Sequence, residues 1–142
     1  MAVYTHVSAD KIEEFIADYD VGEVISLKGI AEGVENSNYL LSTTQDKYIL
    51  TLFEKRVNED DLPFFMGLMK HLSDKSINCA EPIKDKNGHV LKELCGRPTA
   101  LISFLNGLSV TKPSTKNCRE LGEAMAEMHL AVQDFEMSRF ND

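Results

Sequence analysis

After Ser8, whose hydroxyl suits a helix N-cap, apolar side chains fall at Ile12, Phe15, Ile16 and Tyr19. That three-and-four spacing predicts an amphipathic helix over residues 9–19, stopped at Asp20 to Gly22. Three β-prone runs follow, Val24 to Ile30, Asn38 to Thr43 and Tyr48 to Phe53, joined by links short enough to favour antiparallel neighbours. Leu62, Phe65, Met66, Met69 and Leu72 then form one apolar stripe and predict a helix over residues 60–74. Pro63 is tolerated there because a first-turn N–H has no intrahelical partner to lose. Pro82 to Lys84 and His89 to Leu94 flank Asp85-Lys86-Asn87-Gly88, and the Asn-Gly pair suits a tight hairpin turn that needs positive φ. A further strand is expected from Thr99 to Phe104, ending at Asn106-Gly107. Lys112-Pro113-Ser114 opens a third long helix, with Cys118, Leu121, Met125, Met128 and Val132 as its buried stripe. The order predicts an α+β fold: a mostly antiparallel sheet of about five strands packed by one helix, the last helix belonging to something beyond it.

Composition narrows the function. Against 15 basic residues stand 23 acidic ones, a formal charge of −8, with no Lys/Arg cluster of the kind that releases counterions from a phosphate backbone, so no nucleic-acid partner is expected. Apolar runs such as Thr99 to Leu105 fall far short of the ~20 residues that cross hydrocarbon, so no membrane association is expected. The opening Met-Ala-Val-Tyr-Thr-His has no secretory pattern. Cys79, Cys95 and Cys118 are odd in number and lack C-x-x-C spacing, which reads as small buried or half-buried thiols in a reducing, cytoplasmic setting.

Candidate chemistry concentrates between the first two strands, in Gly29 to Asn38. Glycines at 29 and 33 leave no Cβ to block an anion from backbone N–H groups, and Asn36, Ser37 and Asn38 add neutral donors. The segment is not a P-loop, because Gly-Lys-Ser/Thr is missing and a strand follows it; a plain polar hairpin turn is the alternative reading. Along Tyr48 to Arg56, Thr51, Phe53 and Lys55 share one side and Leu50, Leu52 and Glu54 the other. Lys55 or Arg56 could reach a phosphate near the loop, or simply solvate the strand end. His129 reads as a packed helical histidine, and the four histidines form no metal constellation.

Tyr19-Asp-Val-Gly22, the run from Lys28 to Leu41, Tyr48 to Arg56, Asp61-Leu-Pro-Phe-Phe65 and Ser103-Phe-Leu-Asn-Gly107 together resemble the homoserine kinases of the aminoglycoside-phosphotransferase, protein-kinase-like fold. The resemblance runs from Met1 to about Phe135 and implies a nucleotide-binding amino-terminal lobe over residues 1–105, with a hinge and an incomplete helical lobe over 106–142. It implies that Gly29 to Asn38 covers the ATP phosphates, with Gly33, Val34, Asn36, Ser37 and Asn38 nearest them. Phe104 and Leu105 would be the hinge that meets adenine.

Thr51 stands where many kinases place a phosphate-binding lysine, which leaves Lys28, Lys55 or Arg56 as candidate cations. The His-Gly-Asp segment, its following Asn and the later Asp that supply the catalytic carboxylate and the Mg²⁺ ligands are missing, so no catalytic or metal residue is expected within these 142 residues. The resemblance therefore implies the front half of an enzyme that uses ATP and Mg²⁺ to phosphorylate L-homoserine on the way to threonine, inactive in this form. A choline- or aminoglycoside-type kinase, or a non-catalytic nucleotide- or protein-binding module, is the alternative. Leu101 to Leu108 and the third helix, uncovered in such a fragment, would leave an apolar patch and favour self-association.

Overall fold

The computed structural model describes residues 3–140; Met1, Ala2, Asn141 and Asp142, at the ends of the two expected lobes, lie outside the described residues. In chain order the elements are α1 (Ala9–Ile16), β1 (Val24–Gly29), β2 (Asn36–Thr43), β3 (Lys47–Phe53), a 3₁₀ turn (Glu59–Asp61), α2 (Leu62–Asp74), β4 (Lys92–Leu94), β5 (Arg97–Ser103) and α3 (Thr115–Ala131). Contacts divide the chain into two compact units. One runs up to Leu62 and includes Pro82–Phe104; the other comprises Pro63–Glu81 and the chain from Leu105 onward.

In the first unit the five strands form one sheet in the order β1-β2-β3-β5-β4, with every neighbouring pair antiparallel. The strand registers decide which side chains share a face. Leu41 lies opposite Tyr48, Tyr39 opposite Leu50, and Leu50 opposite Leu101, so these side chains point to one side. Against that side packs α1 through Ile12, Phe15 and Ile16, with Tyr19 just beyond the helix. Leu41, Leu50, Leu52 and Leu101 are fully buried there. The predicted apolar spacing of the first helix thus holds, although α1 stops at Ile16 and Tyr19 is carried in a turn by its N–H bond to the Ile16 carbonyl, 2.9 Å. Ser8 is the N-cap by its backbone, without a side-chain capping bond.

The hairpin expectation around Asn87-Gly88 needs correction. Gly88 does take positive φ, and Asp85 organises the turn by accepting from the N–H groups of Asn87 and His89 at 2.9 and 2.8 Å. The turn joins no two strands, however. Pro82 makes only an isolated bridge to Ile102, and β4 is confined to Lys92–Leu94. The tight hairpin is instead Leu94 to Arg97, where Cys95 (φ 53°) and Gly96 (φ 70°) both take the left-handed region that a two-residue turn between twisted strands requires. Cysteine is an unusual choice there, which is why composition pointed to the Asn-Gly pair instead.

In the second unit, α2 packs on the segment that follows α3. Phe64 and Phe135 meet edge to face with ring centroids 5.6 Å apart, and His71 Nε2 lies 2.8 Å from the Ala131 carbonyl and 3.2 Å from Asp134. Gly67 leaves room for Met137, whose sulfur would stand 2.8 Å from any Cβ at that position.

The third helix opens after Lys112-Pro113-Ser114 as expected, and Ser114 caps α3 in a reciprocal capping box with Asn117. Leu121, Met125 and Met128 are exposed and no residue of α3 is buried, which corrects the buried stripe and agrees with the apolar patch expected on an uncovered third helix. Apolar spacing reports which face a helix could bury, and burial requires a partner surface. Of the stretch Leu101 to Leu108, expected to be uncovered, Leu105 and Leu108 are exposed, whereas Leu101 is fully buried because β5 pairs it with Leu50 in the core. His129 is exposed rather than packed, as is Cys118, whereas Cys79 and Cys95 are half-buried. Among the described residues no helix is long and apolar enough to cross a membrane.

Candidate functional site

The second face of the sheet carries the candidate chemistry. Lys28 pairs with Leu40, Leu40 with Ile49 and Ile49 with Ile102, so these four share the side opposite α1. Beside them Asn38 pairs with Thr51 and Thr51 with Ala100. The result is a partly buried apolar platform of Leu40, Ile49 and Ile102, with a polar margin at Asn38 and Thr51 and a cation at Lys28. Leu40, Ile49, Ala100 and Ile102 escaped the sequence reading because an apolar residue on a strand does not declare which face it serves.

The connecting loop is shorter than the block Gly29 to Asn38. Gly29 closes β1, Asn36 opens β2, and the Ile30 N–H donates to the Asn38 carbonyl at 2.9 Å, which leaves residues 31–35 as the free span. Gly33 adopts φ +109°, a conformation side chains disfavour, and the one atom within 4 Å of an added Cβ is Asn38 Nδ2, at 3.8 Å. Thr51 Oγ1 donates to Asn38 Oδ1 at 2.8 Å, so the Asn38 acceptor is occupied and its amide N–H₂ lies near the loop. Gly33, Asn38 and Thr51 are therefore brought together. Gly29 lacks a side chain for a different reason: a Cβ there would come within 2.9 Å of Val3 Cγ2.

Ser37 is placed differently. It is fully buried, pairs with Leu52, and faces the α1 side. Its hydroxyl donates to Glu54 Oε1 at 2.6 Å and accepts from the N–H groups of Tyr4 and Thr5 at 2.8 and 3.0 Å. Asn36 accepts from the Glu54 N–H at 3.4 Å, and Val34 is exposed at the loop tip. Glu54 also takes a hydrogen bond from Thr5 Oγ1 at 2.7 Å and an ion pair from Arg97 Nε at 3.0 Å. Lys55 and Arg56 lie on another margin, in a cleft of about 210 Å³ lined also by Tyr4, Val34, Glu35, Glu54 and Arg97. Phe104 and Leu105 fall where the chain passes from the first unit to the second. Tyr4, Glu54 and Arg97 were not singled out from sequence, and no local motif marks them, because their partners lie up to dozens of residues away.

Burial pushes the Glu54 carboxyl up, but the hydrogen bonds from Ser37 and Thr5 and the charge of Arg97 outweigh it and hold the group below the ordinary glutamate range. A carboxyl depressed on folding adds stability that is complete above its unfolded pKa of about 4.3 and fades as pH falls through the lower folded value. Glu54→Gln should accordingly cost about 1–2 kcal/mol in urea unfolding at pH 7, and the difference from wild type should shrink below about pH 4. A difference independent of pH would show that the charge contributes nothing.

The sequence profile of the phosphotransferase enzyme family matches residues 26–142. The chain belongs to that family. Its relatives include the homoserine kinases of Methylobacterium radiotolerans, 56% identical over all 142 residues, and of Agrobacterium fabrum, 57% identical over 99% of the chain. The homoserine kinase of Allorhizobium ampelinum is 58% identical over 99% of the chain. The chain spans 44% of the length of each of these relatives. Among solved structures, spectinomycin phosphotransferase in complex with ADP and spectinomycin superposes with a TM-score of 0.72 at 14% identity, covering 89% of this chain and 39% of that one. This phosphotransferase-family chain therefore has the five-stranded amino-terminal lobe of the protein-kinase-like fold. Protein kinases carry a third-strand lysine paired with a glutamate on the following helix. In this chain β3, Lys47–Phe53, carries Thr51 near its middle, and α2, Leu62–Asp74, contains no glutamate.

Proposed function

We propose that this chain is the nucleotide-holding part of an ATP-dependent kinase acting on the hydroxyl of L-homoserine. What carries the reading is identity of 56–58% to homoserine kinases sustained across essentially every residue of the chain. The geometry fits a nucleoside triphosphate. An apolar platform of Leu40, Ile49 and Ile102 suits an adenine ring, and the backbone groups of Phe104, directly after β5, would meet its edge. The Gly33 loop, with Asn38 and Thr51 below it, offers neutral donors to the phosphates.

Of the three candidate cations, Lys28 shares the face of the platform, whereas Lys55 and Arg56 line the cleft beside Tyr4; Lys28 is therefore the phosphate cation in this reading. Among the described residues no group of three or more His, Cys, Asp or Glu is placed to hold a metal ion. In this reading Mg²⁺ and the carboxylate that orients the acceptor hydroxyl belong to the part of the relatives that this chain does not span.

Two measurements test this. Calorimetric titration of the 142-residue chain should show ATP binding without homoserine turnover. Fusion of the chain to the remaining residues of the Methylobacterium radiotolerans relative should give Mg²⁺-dependent ADP release with homoserine and not with choline or spectinomycin. A fusion that prefers another alcohol, or a chain that does not bind ATP, overturns the assignment.

A further inference from the structure

The segment from Val3 to Val7 lies as a strap over the roots of the glycine loop. Val3 packs on Gly29 at the loop's entrance, and the N–H groups of Tyr4 and Thr5 both land on Ser37 Oγ at its exit. The strap is held a second time by Tyr39, whose hydroxyl donates to the Thr5 carbonyl at 2.6 Å and accepts from the Val7 N–H at 3.3 Å. From this braced position the Tyr4 hydroxyl donates to the Val34 carbonyl at 3.1 Å. That bond reaches the loop at its tip, one residue after the left-handed Gly33.

A trans peptide is planar and its C=O and N–H point in opposite directions, so fixing the Val34 carbonyl also fixes the Glu35 N–H. We propose that Tyr4 is a positioning residue for the phosphate loop: its hydroxyl draws the Val34 carbonyl toward the strap and turns the Glu35 N–H away from it, as a donor for a nucleotide phosphate. The inference rests on the nucleotide reading above. It assigns a role in that site, acting through the Val34 carbonyl, to a residue that precedes that carbonyl by thirty positions. The glycine loop is permissive by composition, and a permissive loop must lose conformational freedom each time it binds; a tether that restricts it beforehand lowers that cost.

Tyr4→Phe is the test, because the ring is 59% exposed and losing its hydroxyl leaves the core untouched. In the wild-type chain and the variant, amide hydrogen exchange of residues 31–36 is followed without ligand, and the affinities for ATP and for adenosine are measured. The expected result is faster exchange in the loop, ATP binding weakened by about threefold to tenfold, and adenosine binding unchanged, with unaltered Tm. General destabilisation would weaken both ligands together. Unchanged loop exchange, or equal effects on ATP and adenosine, overturns the positioning role while leaving the nucleotide site standing. Failure of the wild-type chain to bind ATP removes the site itself and the inference with it.

Discussion

Gly33→Val is expected to weaken ATP binding to this chain by at least about tenfold while shifting Tm by no more than about 2 °C. The two effects separate because of where Gly33 stands. Its φ of +109° lies in a region that a β-branched residue enters only at a cost of about 1–3 kcal/mol. Nothing but Asn38 Nδ2 approaches the added Cβ within 4 Å, so there is no clash to transmit into the sheet. The loop can escape the strain by rotating, and the fold loses little. Rotation would redirect the amides on either side of residue 33, which in the proposed site are phosphate donors. Calorimetric titration beside thermal unfolding reads both quantities. Unimpaired ATP binding by Gly33→Val would mean that the loop amides do not touch the triphosphate.

Leu50→Ala should produce the largest loss of stability, about 3–4 kcal/mol by urea unfolding. Leu50 is fully buried in a strand with neighbours on both sides, paired with Tyr39 on β2 and Leu101 on β5, and it meets the core under α1. Truncation leaves a cavity that three packed elements would have to move together to fill. For a domain whose total stability is typically 5–15 kcal/mol, that is a large fraction. The control is Ile25→Ala on edge strand β1, where the side chain is 66% exposed and a change within about 0.5 kcal/mol is expected. Equal losses at the two positions would contradict the assignment of the core to the α1 face.

The surroundings of Leu50 and of Gly33 show what local pattern can and cannot reveal. Alternation along Tyr48 to Arg56 placed Leu50 and Leu52 on one side and Thr51 and Phe53 on the other, and the ladder keeps that division. Alternation is a property of consecutive residues, so it survives in a single sequence. The block from Gly29 to Asn38 stood out for the same reason: its glycines and amides are unusual wherever they occur. Its internal division was not readable. Asn36, Ser37 and Asn38 look alike as polar residues, yet β2 starts at Asn36, and strand geometry sends Ser37 to the α1 side and Asn38 to the other. Where a strand begins within a polar run depends on the partner strand that pairs with it. The hairpin at Cys95-Gly96 was missed for a related reason, since the pairing of β4 with β5 imposes positive φ on a residue type that gives no warning of it.

By itself, then, the amino-acid sequence determined the order of helices and strands, the faces of β3, the location of the glycine loop and the likeness to a kinase family, because each of these resides in neighbouring residues or in runs of them. Only the tertiary structure decided that Tyr4, Thr5, Ser37, Glu54 and Arg97 form one network around the root of that loop, and that β4 and β5 turn at Cys95-Gly96. A hydrogen bond between residues 4 and 34 requires an entire sheet to bring its ends together, and the φ of a turn residue is set by the strands that the turn joins; neither quantity is encoded at the position where it acts.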